Sequence, residues 1–264
     1  MDFVKSAPDL TEDDVRKRLP ELKSGGEWKP KNCTSRHRIA LIVPFRDRQS
    51  HLHIWLVHLI PILQRQQLDF RIIVAEQEGQ GLFNKGKLFN AGFRYAKDLN
   101  VSCVIFHDVD LHPEDDRNLY SCFDSPRHMA PYVNTLGYEL WYQILVGGVL
   151  NIKTKLYESV NGFSNKYWGW GAEDDDMGIR ILKSNLSISR PSKEIGRYTM
   201  MRHKNRRIKE AYPERLNLLK TAFDRMEEDG LRSTGEWKTV MVSLESLYHH
   251  LLIDVGSPPD KYLS

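Results

Sequence analysis

Residues 168–176 read WGWGAEDDD, which places four consecutive carboxylates directly behind a loop of two tryptophans and two glycines. Two acids at the start of a helix are commonly explained by the helix dipole, but four acids after such a loop favour a binding or catalytic function. Aromatic faces suit the apolar side of a sugar ring, and carboxylates suit its hydroxyl groups. One of the carboxylates could also act as a general base on a hydroxyl. The run therefore predicts a carbohydrate site on a mobile loop.

A second pair of carboxylates, Asp108 and Asp110, closes a buried apolar strand. Strand alternation would put both side chains on the same side of the chain, where they repel each other unless a cation lies between them. A hard divalent ion fits this pair and could bridge to a phosphate. An Asp after a strand can also simply start a turn, so these residues alone leave both interpretations open.

Two further segments carry residue types that bind anions or metals. Arg46 and Arg48 flank Asp47 in the sequence PFRDR. Arginine forks pair well with phosphate, although a surface salt bridge with Asp47 is the simpler interpretation in isolation. Met200 and His203 stand three residues apart. A lone histidine is more often structural than a ligand, and a thioether is unusual for a hard ion, but manganese tolerates such partners better than magnesium does.

The elements before residue 112 must bring these residues together. Apolar runs predict buried strands at 38–43, 70–76 and 102–107, and apolar periodicity predicts helices at 50–67, capped by Ser50, and at 84–99. This β-α-β-α-β order implies a parallel sheet with right-handed crossovers. Ligands of such sheets sit outside the carboxyl ends of the strands, where residues 44–48, 77–85 and 108–110 follow.

The rest of the chain shows shorter predicted elements. Residues 1–37 lack periodicity and predict an N-terminal arm or stem with one short helix at 11–18, capped by Thr11 and with Asp14 in its first turn. The α/β domain then runs from 38 to 264. Its second half is predicted to hold a Gly147-Gly148 turn before a strand at 149–152, a helix at 174–183 and a short strand at 187–190.

The totals exclude some functions and leave others open. The 264 residues are 41% hydrophobic and 28% charged, as in ordinary folded proteins, and a net charge of +3 is too small to indicate nucleic-acid binding. No apolar run is long enough to span a membrane and no signal-peptide pattern is present, which taken literally indicates a cytosolic protein. Sequons at Asn32, Asn100 and Asn185 argue mildly for secretion. Three cysteines indicate either free thiols, which the totals favour, or one pair plus one unpaired thiol.

Taken in order, these motifs resemble those of the β-1,4-galactosyltransferase family (glycosyltransferase family 7) over about residues 25–258. The matching segments are 43–48 (VPFRDR), 83–88 (FNKGKL), 107–111 (HDVDL), 146–149 (VGGV), 168–176, 189–191 (SRP) and 200–203 (MMRH). The resemblance implies an α/β fold of GT-A type, with a Rossmann-like, parallel-rich central sheet flanked by helices and a mobile C-terminal half that contains the lid loop. It also implies an inverting enzyme that uses Mn²⁺ and a UDP-sugar.

The resemblance assigns roles to individual residues of this chain. Asp174 would be the catalytic base on the acceptor 4-hydroxyl, and Trp170 would lie on the lid. The metal ligands would be Asp110, Met200 and His203. The donor site would be formed by Pro44, Phe45, Arg46, Arg48, Phe83, Asn84, Lys85, Asp108, Val109, Leu145, Gly148, Trp170 and His203. The acceptor site would be formed by Tyr142, Ala172, Glu173, Asp174, Asp175, Arg215, Leu216 and Leu219.

The cysteines and the location also change under this resemblance. Cys103 and Cys122 occupy the positions of a family disulfide, whereas Cys33 lacks its upstream partner. The family carries a cytoplasmic tail, a membrane anchor and a stem before this point, so the chain looks truncated. We expect the luminal domain of a Golgi type II membrane glycoprotein that contacts the membrane only through an anchor absent from this sequence.

Leu145 departs from the family pattern. Vertebrate galactosyltransferases carry a tyrosine at this position, which crowds the 2-position of the donor sugar, whereas a leucine leaves room for an acetamido group, as in the invertebrate β-1,4-N-acetylgalactosaminyltransferases. We therefore expect transfer of GalNAc, or Gal, from UDP-GalNAc or UDP-Gal to the 4-hydroxyl of a terminal GlcNAc on glycoproteins or glycolipids, in a β-1,4 linkage. Strict galactosyl transfer is the alternative, and a metal-dependent hydrolase or an inactive sugar-binding module is a more distant one. Three other positions depart from the family pattern: Lys85 replaces an arginine, Ala172 replaces a glycine and Leu216 replaces an aromatic residue.

Overall fold

The computed structural model describes residues 9–201 and 213–262. The strands are β1 (Arg38–Phe45), β2 (Asp69–Gln77), β3 (Cys103–His107), β4 (Leu111–Pro113), β5 (Arg127–His128), β6 (Tyr132–Val133), β7 (Val149–Lys153), β8 (Arg197–Met200), β9 (Lys238–Leu244) and β10 (His249–Asp254). The helices are α1 (Glu12–Arg18), α2 (Gln49–Arg65), α3 (Lys85–Asp98), α4 (Thr154–Ser159), α5 (Glu173–Lys183) and α6 (Glu214–Lys220), with 3₁₀ turns at Asn134–Leu136 and Asp260–Tyr262.

Three parallel strands form the centre of a seven-stranded sheet with the order β5-β7-β3-β1-β2-β10-β9. β1 pairs in parallel with both β2 and β3, and α2 and α3 provide the crossovers. This confirms the predicted β-α-β-α-β unit. The predicted Ser50 cap is wrong, because α2 begins at Gln49 and the cap position is taken by Arg48, whose side chain makes no capping hydrogen bond.

The central strand contributes to a core on each face of this sheet. Along residues 39–43 the odd-numbered side chains join the buried cluster on the α2 side, and the even-numbered ones join the cluster on the α3 side. Gly92 of α3 lies so close to β1 that a β-carbon there would come within 2.5 Å of the Ile42 Cγ2. Burial on both faces explains why the strand is apolar throughout.

The margins of the sheet are antiparallel and partly unpredicted. β7, the predicted strand at 149–152, runs antiparallel to β3, and β5 runs antiparallel to β7. On the other side β10 pairs in parallel with β2, and β9 closes the edge in the antiparallel sense. The sequence analysis predicts no strand after residue 190, so this pair of strands is a finding of the structure.

The segment before β1 lies against the domain rather than apart from it. Thr11 caps α1 in a reciprocal capping box with Asp14, as predicted. Leu10, Val15 and Trp28 are buried in the same cluster as the apolar face of α2, and Trp28 exchanges two backbone hydrogen bonds with β2.

The second half of the chain adds a small sheet with the order β4-β8-β6. Its strands β4 and β8 place the chain after β3 beside residues 197–200. The predicted strand at 187–190 is wrong: within the described residues this segment makes one isolated bridge, between Arg127 and Ser189. Its partner strand β5 has only two residues and Pro191 follows at once, so no longer ladder can form.

The predicted disulfide between Cys103 and Cys122 is present, with a sequence separation of 19 residues, and Cys33 is a free, exposed thiol. The free-thiol interpretation favoured by the totals is therefore wrong for this pair. No helix within residues 9–201 and 213–262 combines the length and apolar character that a membrane span requires.

We expect the double substitution Cys103→Ala/Cys122→Ala to lower the free energy of unfolding by about 3 kcal/mol, since it releases a closed loop of this length in the unfolded chain. Urea denaturation under oxidising conditions measures the change. Cys33→Ala is the control and should alter stability by less than about 0.5 kcal/mol. Equal stability of the double variant and the unaltered protein would show that the bridge contributes nothing.

Candidate functional site

The segments predicted to hold the donor meet at the carboxyl ends of β1 and β2. Arg46 donates from Nη1 to the carbonyl oxygen of Gly81, at 2.5 Å, and its guanidinium lies 5.2 Å from the centroid of the Phe83 ring. Arg46 itself is only 9% exposed, and Arg48 stands two residues further, at the start of α2. The parallel topology therefore brings residues 44–48 and 77–85 together, as predicted.

Lys85 connects three parts of the site. Its Nζ lies 2.8 Å from Oδ1 of Asp108, beyond β3, and 3.5 Å from Oε1 of Glu173, at the start of α5. Burial lowers the pKa of the Lys85 ammonium, but the negative charges of Asp108 and Glu173 outweigh burial and raise that pKa above its ordinary value. Lys85 therefore stays charged and gathers carboxylates from two elements around one cation.

Asp108 and Asp110 leave β3 in a turn, in which the Leu111 N–H donates to the Asp108 carbonyl oxygen at 3.3 Å. The strand alternation predicted for this pair therefore does not apply, because the chain is no longer extended. Burial and the charge of Asp110 raise the pKa of Asp108, the charge of Lys85 opposes them, and the resulting pKa is about 6. The negative charge of Asp110 thus disfavours ionisation of Asp108, in the sense expected for two neighbouring carboxylates.

Two of the three predicted metal ligands come close in the backbone: Asp110 lies in the turn just before β4, and Met200 ends the neighbouring strand β8. Met201 donates its N–H to the Asp110 carbonyl oxygen at 2.8 Å, and Leu111 pairs with Met200 across β4 and β8. His203 lies outside the described residues. In the described part of the chain no three His, Cys, Asp or Glu side chains are grouped as a metal site. One carboxylate, one thioether and one imidazole suit manganese better than magnesium.

The WGWGA loop before α5 follows a backbone path that favours glycine. Gly169, Gly171 and Ala172 have φ values of 76°, 100° and 74°. The Gly169 N–H donates to the Phe83 carbonyl oxygen at 2.9 Å, which joins the loop to the donor segment, while Trp170 is 44% exposed. An alanine in the left-handed region costs about 1–2 kcal/mol, so the backbone at position 172 would suit a glycine better than the alanine that this chain carries.

Asp174 lies against the turn that precedes β7. A β-carbon on Gly147 would come within 2.0 Å of the Asp174 Oδ2, so only glycine leaves room for this carboxylate. Burial raises the pKa of Asp174 to about 6, with a further contribution from Asp175, against an opposing one from Lys85. A carboxylate with this pKa is ionised near neutrality and is basic enough to take a proton from a hydroxyl.

The turn continues into a segment that lines the other side of the carboxylates. Burial and a hydrogen bond to Asp175 raise the pKa of the Tyr142 phenol above its usual range. The Tyr142 carbonyl oxygen accepts from the Leu145 N–H at 3.3 Å, and the Gly148 carbonyl oxygen accepts from the Asp108 N–H at 2.9 Å. Residues 142–148 are therefore tied to both carboxylate clusters.

Two residues to which the sequence analysis gives no role hold this segment in place. Arg190 donates from Nη2 to the carbonyl oxygens of Gln143, at 2.6 Å, and Leu145, at 3.1 Å. Burial lowers the pKa of His128 to about 3, so its neutral ring can donate from Nε2 to the Gly147 carbonyl oxygen at 2.9 Å. The Ser-Arg-Pro motif marks Arg190, but no sequence signal marks His128.

The predicted acceptor residues Arg215, Leu216 and Leu219 lie on α6. A β-carbon on Gly171 would meet the Arg215 side chain at 3.9 Å, so α6 faces the tryptophan-glycine loop. Leu216 is 56% exposed and free to contact a ligand. The structure thus places this helix beside the start of α5.

Besides Arg46, several predicted donor residues are buried, and Phe45, Val109 and Asn84 make contacts within the core. Phe45 and Val109 belong to the core cluster on the α2 side. Asn84 is fully buried and caps α3 by accepting from the Lys87 N–H at 2.9 Å, while its amide donates to the Asn165 carbonyl oxygen at the same distance. In this structure these side chains support the site from within.

Family models match most of the chain. Residues 2–123 match the N-terminal region of glycosyl transferase group 7, and residues 127–204 match a model described as the N-terminal domain of galactosyltransferase. The chain is 44% identical over 245 residues to β-1,4-galactosyltransferase 1 of Mus musculus, covering 92% of this chain and 61% of that relative. It is 42% identical over 248 residues to β-1,4-galactosyltransferase 4 of Cricetulus griseus, covering 94% of this chain and 72% of that relative. The chain thus spans about 61% of the length of the mouse relative.

Solved structures show the same architecture. The catalytic domain of Drosophila β-1,4-galactosyltransferase 7 in complex with xylobiose aligns with a TM-score of 0.73 at 29% identity, covering 86% of this chain and 98% of that one. A mutant of that enzyme in complex with manganese, UDP-Gal and xylobiose aligns with a TM-score of 0.72, at the same identity and coverage. The expected α/β fold of GT-A type is confirmed.

We expect Gly147→Ala to reduce catalytic turnover by about 100-fold, because the new methyl group must displace the Asp174 carboxylate and a misplacement of about 1 Å can cost this much. Initial-rate kinetics with a UDP-sugar donor measure the loss. The control is Gly81→Ala, since a β-carbon there meets nothing within 4 Å. Equal turnover in both variants would contradict the close fit of Asp174 against Gly147.

Proposed function

The chain belongs to glycosyl transferase group 7, and we propose that it is an inverting, manganese-dependent enzyme that moves galactose from UDP-Gal to the 4-hydroxyl of a terminal GlcNAc in a β-1,4 linkage. One observation carries the proposal: Asp174 lies at the same edge of the sheet as the cationic cluster of Arg46 and Lys85. A base for the acceptor and positive charge for a diphosphate are thus joined in one site.

The donor half of the proposal rests on charge. Arg46 and Arg48 follow β1, where arginine forks suit the oxygens of a diphosphate. Phe83, already packed against the Arg46 guanidinium, offers a flat face beside them. Asp110, Met200 and His203 would hold Mn²⁺, which when bound neutralises charge on the diphosphate leaving group. The Drosophila relative with manganese and UDP-Gal supports the same metal and donor here.

The acceptor half rests on Asp174 and α6. Asp174 removes the proton from the attacking hydroxyl as the hydroxyl oxygen bonds to the anomeric carbon and the bond to UDP breaks. In-line attack from the face opposite the leaving group turns an α-linked donor into a β-linked product. Glu173 and Asp175 accept hydrogen bonds from sugar hydroxyls, and Arg215, Leu216 and Leu219 contact the N-acetyl group.

A second candidate donor is UDP-GalNAc, and Leu145 is the observation that favours it. Leu145 carries no hydroxyl and less bulk than the tyrosine of the vertebrate enzymes, so an acetamido group at the 2-position of the sugar finds more room. The names of the relatives support galactose. Galactose is therefore the main proposal and N-acetylgalactosamine the second.

The proposed location is the Golgi lumen, as the luminal part of a type II membrane protein. The disulfide between Cys103 and Cys122 supports a compartment that is oxidising.

Asp174→Asn is expected to reduce transfer by about 10²- to 10⁴-fold, since an amide cannot accept the hydroxyl proton. The unaltered enzyme should also lose kcat/KM as the pH falls through about 6, where Asp174 becomes protonated. Initial rates from pH 5 to 8 measure both losses of activity, and calorimetric titration with UDP-Gal and manganese measures the donor affinity of the variant. Donor affinity should stay within about threefold; retained turnover in the variant would remove Asp174 as the base.

Leu145→Tyr is expected to shift the ratio of kcat/KM for UDP-GalNAc over UDP-Gal towards galactose by about tenfold or more, because the added ring crowds the 2-position of the sugar. Leu145→Ile conserves the volume without adding a hydroxyl and should leave the ratio within about twofold. A strong galactose preference that Leu145→Tyr leaves unchanged would show that this residue does not determine the choice of donor.

A further inference from the structure

We propose that Arg225 is a positioning residue that fixes the acceptor helix α6 against the base-bearing helix α5, an inference that rests on the proposed function. Arg225 lies in the segment that follows α6, and none of its hydrogen bonds within residues 9–201 and 213–262 is made to a predicted donor or acceptor side chain. Its effect on the reaction would pass through the distance between the two helices.

A single nitrogen of Arg225 joins these helices. Nη2 donates to Oδ2 of Asp176, at 2.9 Å, and to the carbonyl oxygen of Leu218, at 2.8 Å. Asp176 stands two residues after the proposed base Asp174 in the first turn of α5. Leu218 lies among the acceptor residues of α6. One guanidinium therefore links the helix that carries the proposed base to the helix that carries three predicted acceptor residues.

The other nitrogens of Arg225 fix its orientation. Nε donates to Oγ1 of Thr221 at 3.1 Å, and Nη1 forms an ion pair with Asp229. Because the guanidinium is planar and its donors form a rigid fork, these contacts define one orientation of the group. A lysine ammonium in the same place would keep the charge but could not reproduce the fork.

Asp176 is held from the α5 side as well. It is fully buried, accepts from Nε of Arg180 at 2.5 Å and accepts from the Tyr167 hydroxyl at 2.9 Å. Unlike the three carboxylates that precede it, Asp176 therefore points into the protein and not towards the proposed sugar site. The last acid of the run serves as an anchor point for Arg225.

The acceptor helix needs such an anchor because its own packing is weak. α6 has seven residues, none of which is buried. An element with so little buried apolar surface takes its position from contacts at its ends. The Arg225 contact to Leu218 is made at the C-terminal end of α6, while Arg215 meets the tryptophan-glycine loop near its N-terminal end.

The test is Arg225→Lys, chosen because full removal would leave buried carboxylates without a partner and could unfold the protein. We expect the dissociation constant of a GlcNAc glycoside, measured by calorimetry with UDP and Mn²⁺ present, to rise about tenfold, together with the acceptor KM. The donor KM and the rate of donor hydrolysis without acceptor should stay within about twofold. A general loss of structure would instead weaken the binding of donor and acceptor together and lower the rate of donor hydrolysis.

Arg94→Lys is the matched control. Arg94 also fixes backbone carbonyls of the C-terminal segment, donating to those of Leu231 and Ser233, but it contacts neither helix. It should leave the acceptor constants within about twofold. Thr221→Val, at an exposed position, removes the hydroxyl that orients Arg225 and that also donates to the Asn217 and Leu218 carbonyl oxygens at the end of α6. It should raise the acceptor dissociation constant by about two- to threefold.

The two proposals fail separately. Absence of transfer by the unaltered protein would overturn the proposed function. The dissociation constants of the GlcNAc glycoside for the variants would still test whether Arg225 positions α6. Unchanged acceptor dissociation constants in both Arg225→Lys and Thr221→Val, or equal increases in Arg94→Lys, would overturn the positioning role.

Discussion

The carboxylates of the site stand close together because the ammonium of Lys85 lies among them. Asp108 comes from the end of β3 and Glu173 from the start of α5, and both lie within 3.5 Å of the Lys85 Nζ. Without that cation, burial and mutual repulsion would favour protonated or separated acids. Burial and the neighbouring carboxylates raise the pKa values of Asp108 and Asp174 to about 6 even with Lys85 opposing them. A site that keeps mutually repelling carboxylates buried and charged is suited to bind a metal ion and to accept a proton.

The elements that surround Lys85 are held in position in two different ways. On the proposed donor side, the parallel strands are buried on both faces, so the ends of β1, β2 and β3 have fixed relative positions. On the proposed acceptor side, positions are fixed by single polar contacts to backbone atoms, such as those of Arg190 and His128 on the segment 142–148. The proposed acceptor side thus depends on individual side chains, whereas the proposed donor side depends on a packed core.

The first half could be predicted from the sequence because its signals are local. Continuous apolar runs and helical periodicity gave the order of β1, β2 and β3, and their polar ends marked the site. The second half of the chain could not be predicted in this way. For example, β10 pairs with a strand more than 170 residues earlier, and no pattern in its sequence indicates that partner. The left-handed backbone of Ala172 is likewise not indicated by its residue type, whereas the turn after β3 is one of the two interpretations that Asp108 and Asp110 leave open in the sequence. Ordered motifs assign the roles of the predicted site residues, but they leave Asp176 without a role because its partners Tyr167, Arg180 and Arg225 belong to none of those motifs.

The most direct test of the central claim is to incubate the protein with a GlcNAc-terminated acceptor and a panel of UDP-sugars, with and without Mn²⁺, and to determine the product linkage by NMR. The account predicts a β-1,4-linked product that forms only with Mn²⁺, with UDP-Gal as the main donor. Release of the free sugar into water without any glycoside product, or no turnover of any donor, would contradict it and favour a hydrolase or a sugar-binding module instead.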